Sequence, residues 1–239
     1  MRIDRFLSHM NVSTRKTLKP LLKAGRVRVA DKVIKEAKYQ VTPETVVYVD
    51  DEPIRYQTNF YWLLNKPAGV ISATTDPQKT VMDLFAPADY REDLFPVGRL
   101  DKDTTGLLLI TNDGDLAHDL LSPKKHVAKT YRAKIAGVVT AADQAQFANG
   151  LKLSDFDAQP AQLTILSTDT KRQESLIEVE IHEGKFHQVK RMFHAVDKEV
   201  LTLERLQMGP LRLPADLKRG QYRALTTTEF DALQTATQK

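Results

Sequence analysis

The sequence predicts an α+β protein with a small basic N-terminal module and a larger domain, in which helices flank a mainly antiparallel mixed sheet. Positive charge is concentrated near the N-terminus, whereas short apolar strand patterns alternate with helical patterns from Tyr61 onward. Many of these strands are joined by turns too short for a crossover helix, which favours antiparallel pairing. A length of 239 residues is sufficient for two hydrophobic cores.

Composition excludes several classes of site. The chain has no cysteine, so disulfides, thiolate zinc sites and a cysteine nucleophile are excluded. The first five residues include Arg2, Asp4 and Arg5, no apolar run of signal-peptide length follows them, and no window approaches the length of a membrane span. We therefore expect a soluble, cytoplasmic protein without a membrane role.

The charge distribution is uneven. Residues 1–43 carry eleven Lys or Arg and three acids, a net charge of +8, which leaves −4 for the other residues. Such a cluster favours a polyanionic partner, and nucleic acid is favoured over lipid because no amphipathic anchor lies beside it. A merely solvated basic face is the alternative.

The N-terminal module is predicted to contain two helices followed by a hairpin. Apolar residues recur at helical spacing in the first helix: Ile3, Phe6, Leu7 and Met10. Ser13 or Thr14 can cap the second helix, whose inner face is Leu18, Leu21 and Leu22 and whose end is Gly25. Pro20 is expected to kink that helix or to delay its start.

The hairpin is predicted from basic and apolar residues that alternate at 26–29, a turn at 30–32, and Val33, which resumes the pattern. A last strand is predicted at 46–49. The polar run 50–53 is interpreted as the start of a linker. The predicted division is therefore a module at 1–50, a linker at 51–60 and a second domain at 61–239.

The second domain is predicted to interleave strands and helices. The predicted strands are 61–64, 70–72, 107–110, 129–135, 161–166, 176–181 and 201–206. The predicted helices are 115–121, 141–149, 186–195 and a final one opened by Thr226 and Glu229 in capping-box spacing.

The segment 98–114 is the most informative, because it places acids and an arginine ahead of an apolar core strand at 107–110. A rigid strand fixes the loop before it, so one of these acids is a candidate catalyst. Turn or cap chemistry is the alternative for each of Asp101, Asp103 and Asp113.

The N-terminal module resembles an S4 RNA-binding domain, on the strength of the segments MRIDRFL at 1–7 and KAGRVRV at 23–29. Two departures are the Asp31-Lys32 turn, where the family usually has an Asn-Gly type, and Pro20. The resemblance implies an RNA-facing basic surface. We expect RNA contacts from Arg2, Arg5, Arg15, Lys16, Lys19, Lys23, Arg26 and Arg28, and in the second domain from Lys124, Lys125 and Arg191.

Four segments in register, 65–69, 98–114, 129–131 and 183–193, resemble the RsuA-type ribosomal RNA pseudouridine synthases, and 217–225 also fits. The family reaction detaches uracil from ribose at N1 and rejoins it through C5, without cofactor or metal. By resemblance, Asp101 is the carboxylate near C1′. Asp103 and Asp113 are interpreted as structural acids.

The resemblance also assigns three partners to Asp101. Arg99 would occupy the space left by the extruded nucleotide, with a loop-fixing salt bridge as the alternative. Tyr131 would stack on the uracil, with a core position as the alternative. Lys190 would keep the carboxylate ionised in a dry pocket, whereas the neighbouring Arg191, about 100° away around a helix, suits phosphate contact better.

Two other site types are rejected. His182 and His187 are five residues apart, about 140° around a helix, and Gly184 interrupts it, so a zinc site is not expected. The glycines match neither a dinucleotide fingerprint nor a phosphate loop.

The sequence favours 16S rRNA as substrate, through overall likeness to the small-subunit enzyme that includes Thr104-Thr105 and 121–123. A small-subunit assembly intermediate is the expected partner and a monomer the expected state. The alternatives are an enzyme for 23S rRNA or transfer RNA and a non-catalytic RNA-binding assembly factor.

Overall fold

A computed structural model describes residues 1–237, with the side chain of Arg15 outside the described part. The chain divides into two compact units. The first contains Met1–Asn59 and Ala86–Arg91, and the second contains Phe60–Phe85 and Glu92–Lys239, of which residues 238 and 239 are not described. No helix in residues 1–237 is long and apolar enough to cross a membrane.

The first unit packs two helices against a small sheet. Its elements are α1 (Ile3–His9), α2 (Arg15–Lys23), β1 (Val27–Val29), β2 (Lys32–Val33), β3 (Val47–Val49) and β4 (Glu52–Ile54). The sheet order is β2-β1-β3-β4. The predicted helical apolar residues Ile3, Phe6 and Leu7 are buried with Leu18 and Leu22 in one cluster, which leaves the lysines of α2 in solvent.

The predicted linker at 51–60 is wrong in its first part, since Glu52–Ile54 form strand β4 against β3. Asp50 and Asp51 have φ angles of 52° and 66°, so this acidic pair forms the turn of a tight hairpin. Val47 lies opposite Ile54 in that hairpin. The polar run therefore marked a turn within the unit.

Pro20 does not delay the start of α2, which begins at Arg15. Thr14, not Ser13, is the N-cap, because its hydroxyl accepts a hydrogen bond from the Thr17 backbone amide at 3.3 Å. The helix continues past the proline, with the Ala24 amide bonded to the Pro20 carbonyl at 2.9 Å.

The second unit is built on one large sheet. Its strands are β5 (Tyr61–Lys66), β6 (Phe95–Pro96), β7 (Thr105–Thr111), β8 (Lys129–Ala136), β9 (Leu151–Lys152), β10 (Asp157–Ala158), β11 (Gln162–Asp169), β12 (Glu174–Ile181), β13 (Glu199–Met208), β14 (Leu211–Arg212) and β15 (Tyr222–Ala224). Its helices are α3 (Gly114–Leu121), α4 (Ala141–Asn149), α5 (Gln188–His194) and α6 (Thr227–Thr237), with 3₁₀ turns at Val81–Leu84 and Pro123–Lys125.

The main sheet has the order β11-β12-β8-β13-β7-β5-β15, with β6 paired to β7 and β14 to β13; β9 and β10 pair separately. Pairing is antiparallel except between β13 and β7, which are parallel. The predicted mainly antiparallel mixed sheet is thus confirmed. The parallel pair places the start of β7, and the loop before it, beside the middle of β13.

Both faces of the sheet centre are covered, which explains the continuous apolar run in β7. Leu108 and Ile110 join a cluster on one face with α5, whereas Leu107 and Leu109 join a cluster on the other with α3 and α6. Strand β7 is buried along its whole length. It is a rigid base for the preceding loop.

Two predicted elements differ in the structure. Residues 70–72 form no strand and make only an isolated bridge between Ile71 and Thr80. Helix α5 begins at Gln188 rather than 186, because His187 adopts a left-handed conformation with φ 51°. The predicted capping box of α6 is confirmed, with Thr226 and Glu229 exchanging backbone and side-chain hydrogen bonds.

Candidate active site

The loop that carries Asp101 is held from below by a buried lysine. Lys66 is fully buried at the end of β5, and its Nζ donates to the carbonyl oxygens of Asp101 and Thr104, both at 2.9 Å, and to those of Lys102 and Pro67 at 3.3 and 3.2 Å. Burial lowers the pKa of Lys66 to about 8, although Asp103 and Asp101 act to raise it. Four carbonyl acceptors compensate the buried ammonium.

Ser72 and Gly69 hold the backbone of the same loop through further hydrogen bonds. The Ser72 hydroxyl donates to the Leu100 carbonyl at 2.9 Å and accepts from its amide at 3.1 Å, and the Gly69 amide donates to the Lys102 carbonyl at 2.8 Å. Gly106 has φ 102° and lies against the Arg205 backbone, where a Cβ would approach the Arg205 oxygen to 2.3 Å. A side chain at 106 would therefore push β7 away from β13.

Asp101 has two basic neighbours from one segment. Its carboxylate lies 3.2 Å from Lys190 Nζ and 3.5 Å from His187 Nε2. Its side chain is 23 % exposed, so the charge is partly desolvated. A carboxylate held in this way has a free lone pair for a reacting carbon while its charge stays balanced.

Lys190 is shared with a second acid. Its Nζ donates to both oxygens of Asp103, at 2.7 and 2.9 Å, closer than to Asp101. Burial acts to lower the pKa of Lys190, but hydrogen bonds to Asp103 and Asp101 raise it on balance. The Lys190 hydrogen bond is the main cause of a lowered pKa at Asp103. Asp103 therefore tethers the lysine and is more than a turn residue.

Hydrogen bonds within the segment 183–188 hold His187 in place. The buried Glu183 accepts hydrogen bonds from the Gln188 side chain at 2.6 Å and the Gln159 amide at 2.8 Å, and Gln188 accepts from the Lys185 amide at 2.9 Å. The exposed Phe186 ring stacks on the His187 ring with centroids 3.8 Å apart. These contacts set the His187 ring at the carboxylate.

Two cavities share Asp101 as a lining residue. The outer cleft, about 910 Å³, is lined among others by Arg99, Asp101, Lys102, Lys185, Phe186 and His187. The inner pocket, about 100 Å³, is lined among others by Asp101, Thr104, Lys129, Tyr131, Leu203 and Arg205. Arg99 lines both cavities and is exposed.

The floor of the inner pocket is one face of the sheet. Tyr131 on β8 pairs with Arg205 on β13, and Lys129 lies two residues before Tyr131, on the same face. Arg205, Lys129 and Tyr131 are 3, 6 and 8 % exposed. The structure thus brings the predicted Asp101, Tyr131, Lys190 and Arg99 together.

Sequence reasoning missed four basic residues here: Lys66, Lys129, His187 and Arg205. Lys66 and Lys129 lie in segments that carried the family resemblance, so a role for them could have been sought there. Arg205 gave no signal, because its neighbours in the sheet come from β7 and β8, distant in sequence.

The predicted RNA-contacting cations of the first unit fall into two groups. Arg2, Arg26 and Arg28 pair with Asp4, Asp50 and Asp51, and the hydrogen bond to Asp50 is the main cause of a raised pKa at Arg26. Arg5, Lys16, Lys19 and Lys23 are exposed, and none has an acidic partner among the described residues. The side chain of Arg15 lies outside the described part.

In the second unit, two of the three predicted RNA contacts are occupied. Arg191 pairs with Asp155 and lies 4.8 Å above the Phe156 ring, and Lys125 donates to the Thr237 carbonyl at 2.8 Å. Lys124 is exposed. Asp113 caps α3 by accepting from the Leu116 amide at 3.0 Å and accepts from the Tyr61 hydroxyl at 2.6 Å, as expected for a structural acid.

Among residues 1–237, no group of three or more His, Cys, Asp or Glu side chains is arranged to hold a metal ion. His182 instead contacts the His126 carbonyl at 2.9 Å.

Comparison with known proteins finds family matches in both units. The family described as RNA pseudouridylate synthase matches residues 60–195, and the S4 domain family matches residues 1–47. A crystal structure of a pseudouridylate synthase superposes with a TM-score of 0.67 at 33 % identity, covering 98 % of this chain and 99 % of that one.

Full-length relatives have related names. The chain is 44 % identical to the uncharacterized RNA pseudouridine synthase YtzG of Bacillus subtilis over 98 % of both chains. It is 38 % identical to ribosomal large subunit pseudouridine synthase B of Bacillus subtilis, over 97 % of this chain and 95 % of the relative. It is 37 % identical to ribosomal small subunit pseudouridine synthase A of Yersinia pestis, over 96 % of this chain and 97 % of the relative.

These matches span both units and include the loop of Asp101, the strand of Tyr131 and the helix of Lys190. The resemblance expected from the sequence is confirmed over the whole chain. The chain belongs to the RsuA-type RNA pseudouridine synthases and carries an S4 domain in front of its catalytic domain.

Proposed function

We propose that this enzyme isomerises one uridine of ribosomal RNA, with 16S rRNA as its substrate and Asp101 as the reacting carboxylate. The observation that carries the proposal is the position of Asp101, where the outer cleft meets the inner pocket, with Lys190 at 3.2 Å and His187 at 3.5 Å. The small-subunit relative supports the choice of RNA.

The proposed chemistry begins with extrusion of the target nucleotide, because its C1′ and C5 are hidden inside a folded RNA. Arg99, exposed at the cleft, would occupy the vacated space. The uracil would enter the inner pocket beside Tyr131, with C1′ next to Asp101. The tyrosine ring offers a face for stacking.

In the reaction, the C1′–N1 bond breaks and its electron pair stays on the uracil. Asp101 either bonds to C1′ as a covalent adduct, or takes the C2′ proton to leave a glycal and returns that proton when the new bond to C1′ forms. After the base has turned, a new C5–C1′ bond forms, C5 loses its proton and N1 gains one. Atoms and charge balance without a redox partner.

The first unit would hold the RNA through its basic surface. Arg5, Lys16, Lys19 and Lys23, exposed and without an acidic partner in the part of the chain that the structure describes, are the strongest phosphate-binding candidates. We further propose a monomer in the cytoplasm that acts on a small-subunit assembly intermediate. In this scheme the residues before 60 bind the RNA, and the residues after 60 catalyse the reaction.

A second substrate has comparable support. The large-subunit relative is 38 % identical and the small-subunit relative 37 %, so 23S rRNA is the alternative. A non-catalytic assembly factor is disfavoured by the desolvated acid and its basic partners, which simple RNA binding does not need.

The test is carbodiimide mapping of pseudouridine in unmodified 16S and 23S rRNA after treatment with wild type, Asp101→Asn and Asp103→Asn. We expect a single new site in 16S rRNA with wild type and Asp103→Asn, and none with Asp101→Asn. Equal modification by Asp101→Asn would refute the carboxylate assignment. A site in 23S rRNA alone would transfer the proposal to the large subunit.

A further inference from the structure

Three buried cations lie at the site, and they are not equivalent: Lys129 and Arg205 line the inner pocket, whereas Lys66 contacts the backbone of the Asp101 loop. Lys66 donates to the carbonyl oxygens of Asp101, Lys102 and Thr104 in that loop and to that of the adjacent Pro67. Lys129 has one carbonyl acceptor, that of Val127 at 2.9 Å. Arg205 donates through Nε to the Leu107 carbonyl at 2.8 Å, and its buried Nη2 has no hydrogen-bond partner within residues 1–237. Of the three cations, Lys66 alone is therefore fully satisfied by these residues.

Lys129 and Arg205 also lack compensating charge. Among residues 1–237, neither forms an ion pair with a carboxylate. Burial, and then the proximity of Arg205, lowers the pKa of Lys129 to about 8. Two desolvated cations close together are costly unless an anion or several acceptors join them. The imbalance indicates a ligand that brings negative charge or carbonyl oxygens.

The place of the two cations limits what that ligand is. Both line the inner pocket with Tyr131 and Asp101, and the apolar side chains of Ile181 and Leu203 complete the wall. The pocket is about 100 Å³, and a cavity on the order of 150 Å³ holds a benzene ring. A pocket smaller than that cavity takes at most a single base ring, whereas the sugar-phosphate chain suits the wide outer cleft, where Arg99, Lys102 and Lys185 are exposed.

We propose that Lys129 and Arg205 bind the carbonyl oxygens of the target uracil and stabilise the uracil anion that leaves C1′. This inference rests on the proposed function. When the C1′–N1 bond breaks, its electron pair enters the ring and is shared by O2 and O4, so negative charge grows beside two fixed cations. The pair is returned when C5 bonds to C1′. Cations that meet developing charge lower the barrier because they need no reorientation.

The same arrangement selects the base. Uracil presents carbonyl acceptors at both C2 and C4, whereas cytosine carries an amino donor at C4. A donor placed against an ammonium or guanidinium leaves both without a partner, which costs more than a missing contact. Lys129 and Arg205 are thus substrate-binding residues that couple base identity to leaving-group stability.

The test compares two substrates on each protein. Single-turnover rates are measured on unmodified rRNA transcripts with uridine or 5-fluorouridine at the target, following loss of the intact nucleoside. Fluorine at C5 stabilises the uracil anion, so the rate should depend less on the two cations. We expect Arg205→Gln and Lys129→Gln each to lower the single-turnover rate on the order of 10²-fold with uridine, but only about 10-fold with 5-fluorouridine. Arg205→Lys should retain most of the rate.

The ratio of the two rates on one preparation does not depend on the folded fraction, so a destabilised variant remains informative. Lys198→Gln is the matched control, because Lys198 is a largely buried cation that pairs with Asp143 away from the pocket; its ratio should equal that of wild type. Equal losses on both substrates would overturn the proposal. The proposal would also be overturned if the variants bound RNA more weakly and with less salt dependence while keeping the wild-type rate, because that result would indicate phosphate binding. Failure of wild type to form pseudouridine would refute the proposed function instead.

Discussion

The two units of the molecule use positive charge in opposite ways. In the first unit the cations lie on the surface, and several are matched by acids on neighbouring turns, as in Arg26 with Asp50 and Arg28 with Asp51. In the second unit the decisive cations are buried and bonded to backbone carbonyls, as are Lys66 and Arg205. Surface charge gives reversible, salt-dependent attraction, whereas buried charge gives a fixed field at a reacting group.

The difference shows that net charge is a poor guide to where chemistry occurs. The second unit is the less basic part of the sequence, yet it holds Lys66, Lys129, Lys190 and Arg205 around a single aspartate. Substitutions in the two groups of cations should therefore separate RNA binding from chemistry.

Lys66→Met should produce the largest combined loss. It removes the ammonium that joins the carbonyl oxygens of Asp101, Lys102 and Thr104, so we expect a loss of about 3 kcal/mol in stability and of about 10³-fold in rate. Urea unfolding and single-turnover kinetics measure the two effects. Unchanged stability would show that the loop is not held by this lysine.

Lys190→Met should have the next largest effect, about 10²-fold in single-turnover rate with little change in RNA affinity. It removes the cation shared by Asp101 and Asp103. Because the Lys190 hydrogen bond is the main cause that lowers the pKa of Asp103, that pKa should rise in the variant, which NMR titration of the carboxyl group measures. Asp103→Asn, which keeps Lys190 beside Asp101, is the control and should lose about 10-fold or less.

The sequence predicted part of this arrangement and missed part of it, for physical reasons. The segment 107–110 could be assigned to a core strand and Thr226 with Glu229 to a helix start, since both signals are local. The pairing of Tyr131 with Arg205 depends on the register of distant strands, which no local pattern encodes. The family resemblance supplied Asp101 and Lys190, but not the sharing of Lys190 with Asp103.

Replacing Lys16, Lys19 and Lys23 together with Gln should weaken RNA binding about 10-fold at low salt. The slope of log affinity against log salt should fall by roughly 0.7 to 0.9 for each phosphate that the variant no longer neutralises. The double variant Arg26→Gln and Arg28→Gln should change affinity less, because Asp50 and Asp51 already offset these charges. Equal effects per cation would contradict the division of the surface into paired and unpaired groups.

The smallest expected effect concerns stability at acid pH. Hydrogen bonding from Arg223 is the main cause that lowers the pKa of Glu229 to about 2, so its contribution is complete above the unfolded value of about 4.3 and disappears as pH falls toward 2. Glu229→Gln should cost about 1 to 2 kcal/mol at pH 7 and less at pH 3. Thermal melts at both pH values measure it. Glu178→Gln, at a more exposed pair with Arg132, should stay within about 0.5 kcal/mol.

One measurement tests the division between binding and chemistry most directly. The dissociation constant and the single-turnover rate at saturating RNA are determined on one rRNA transcript for Asp101→Asn and for the Lys16, Lys19 and Lys23 triple variant. We predict that Asp101→Asn loses about 10⁴-fold in rate with unchanged affinity, and that the triple variant loses affinity with unchanged rate. A residual rate for Asp101→Asn within 10-fold of wild type would contradict the account.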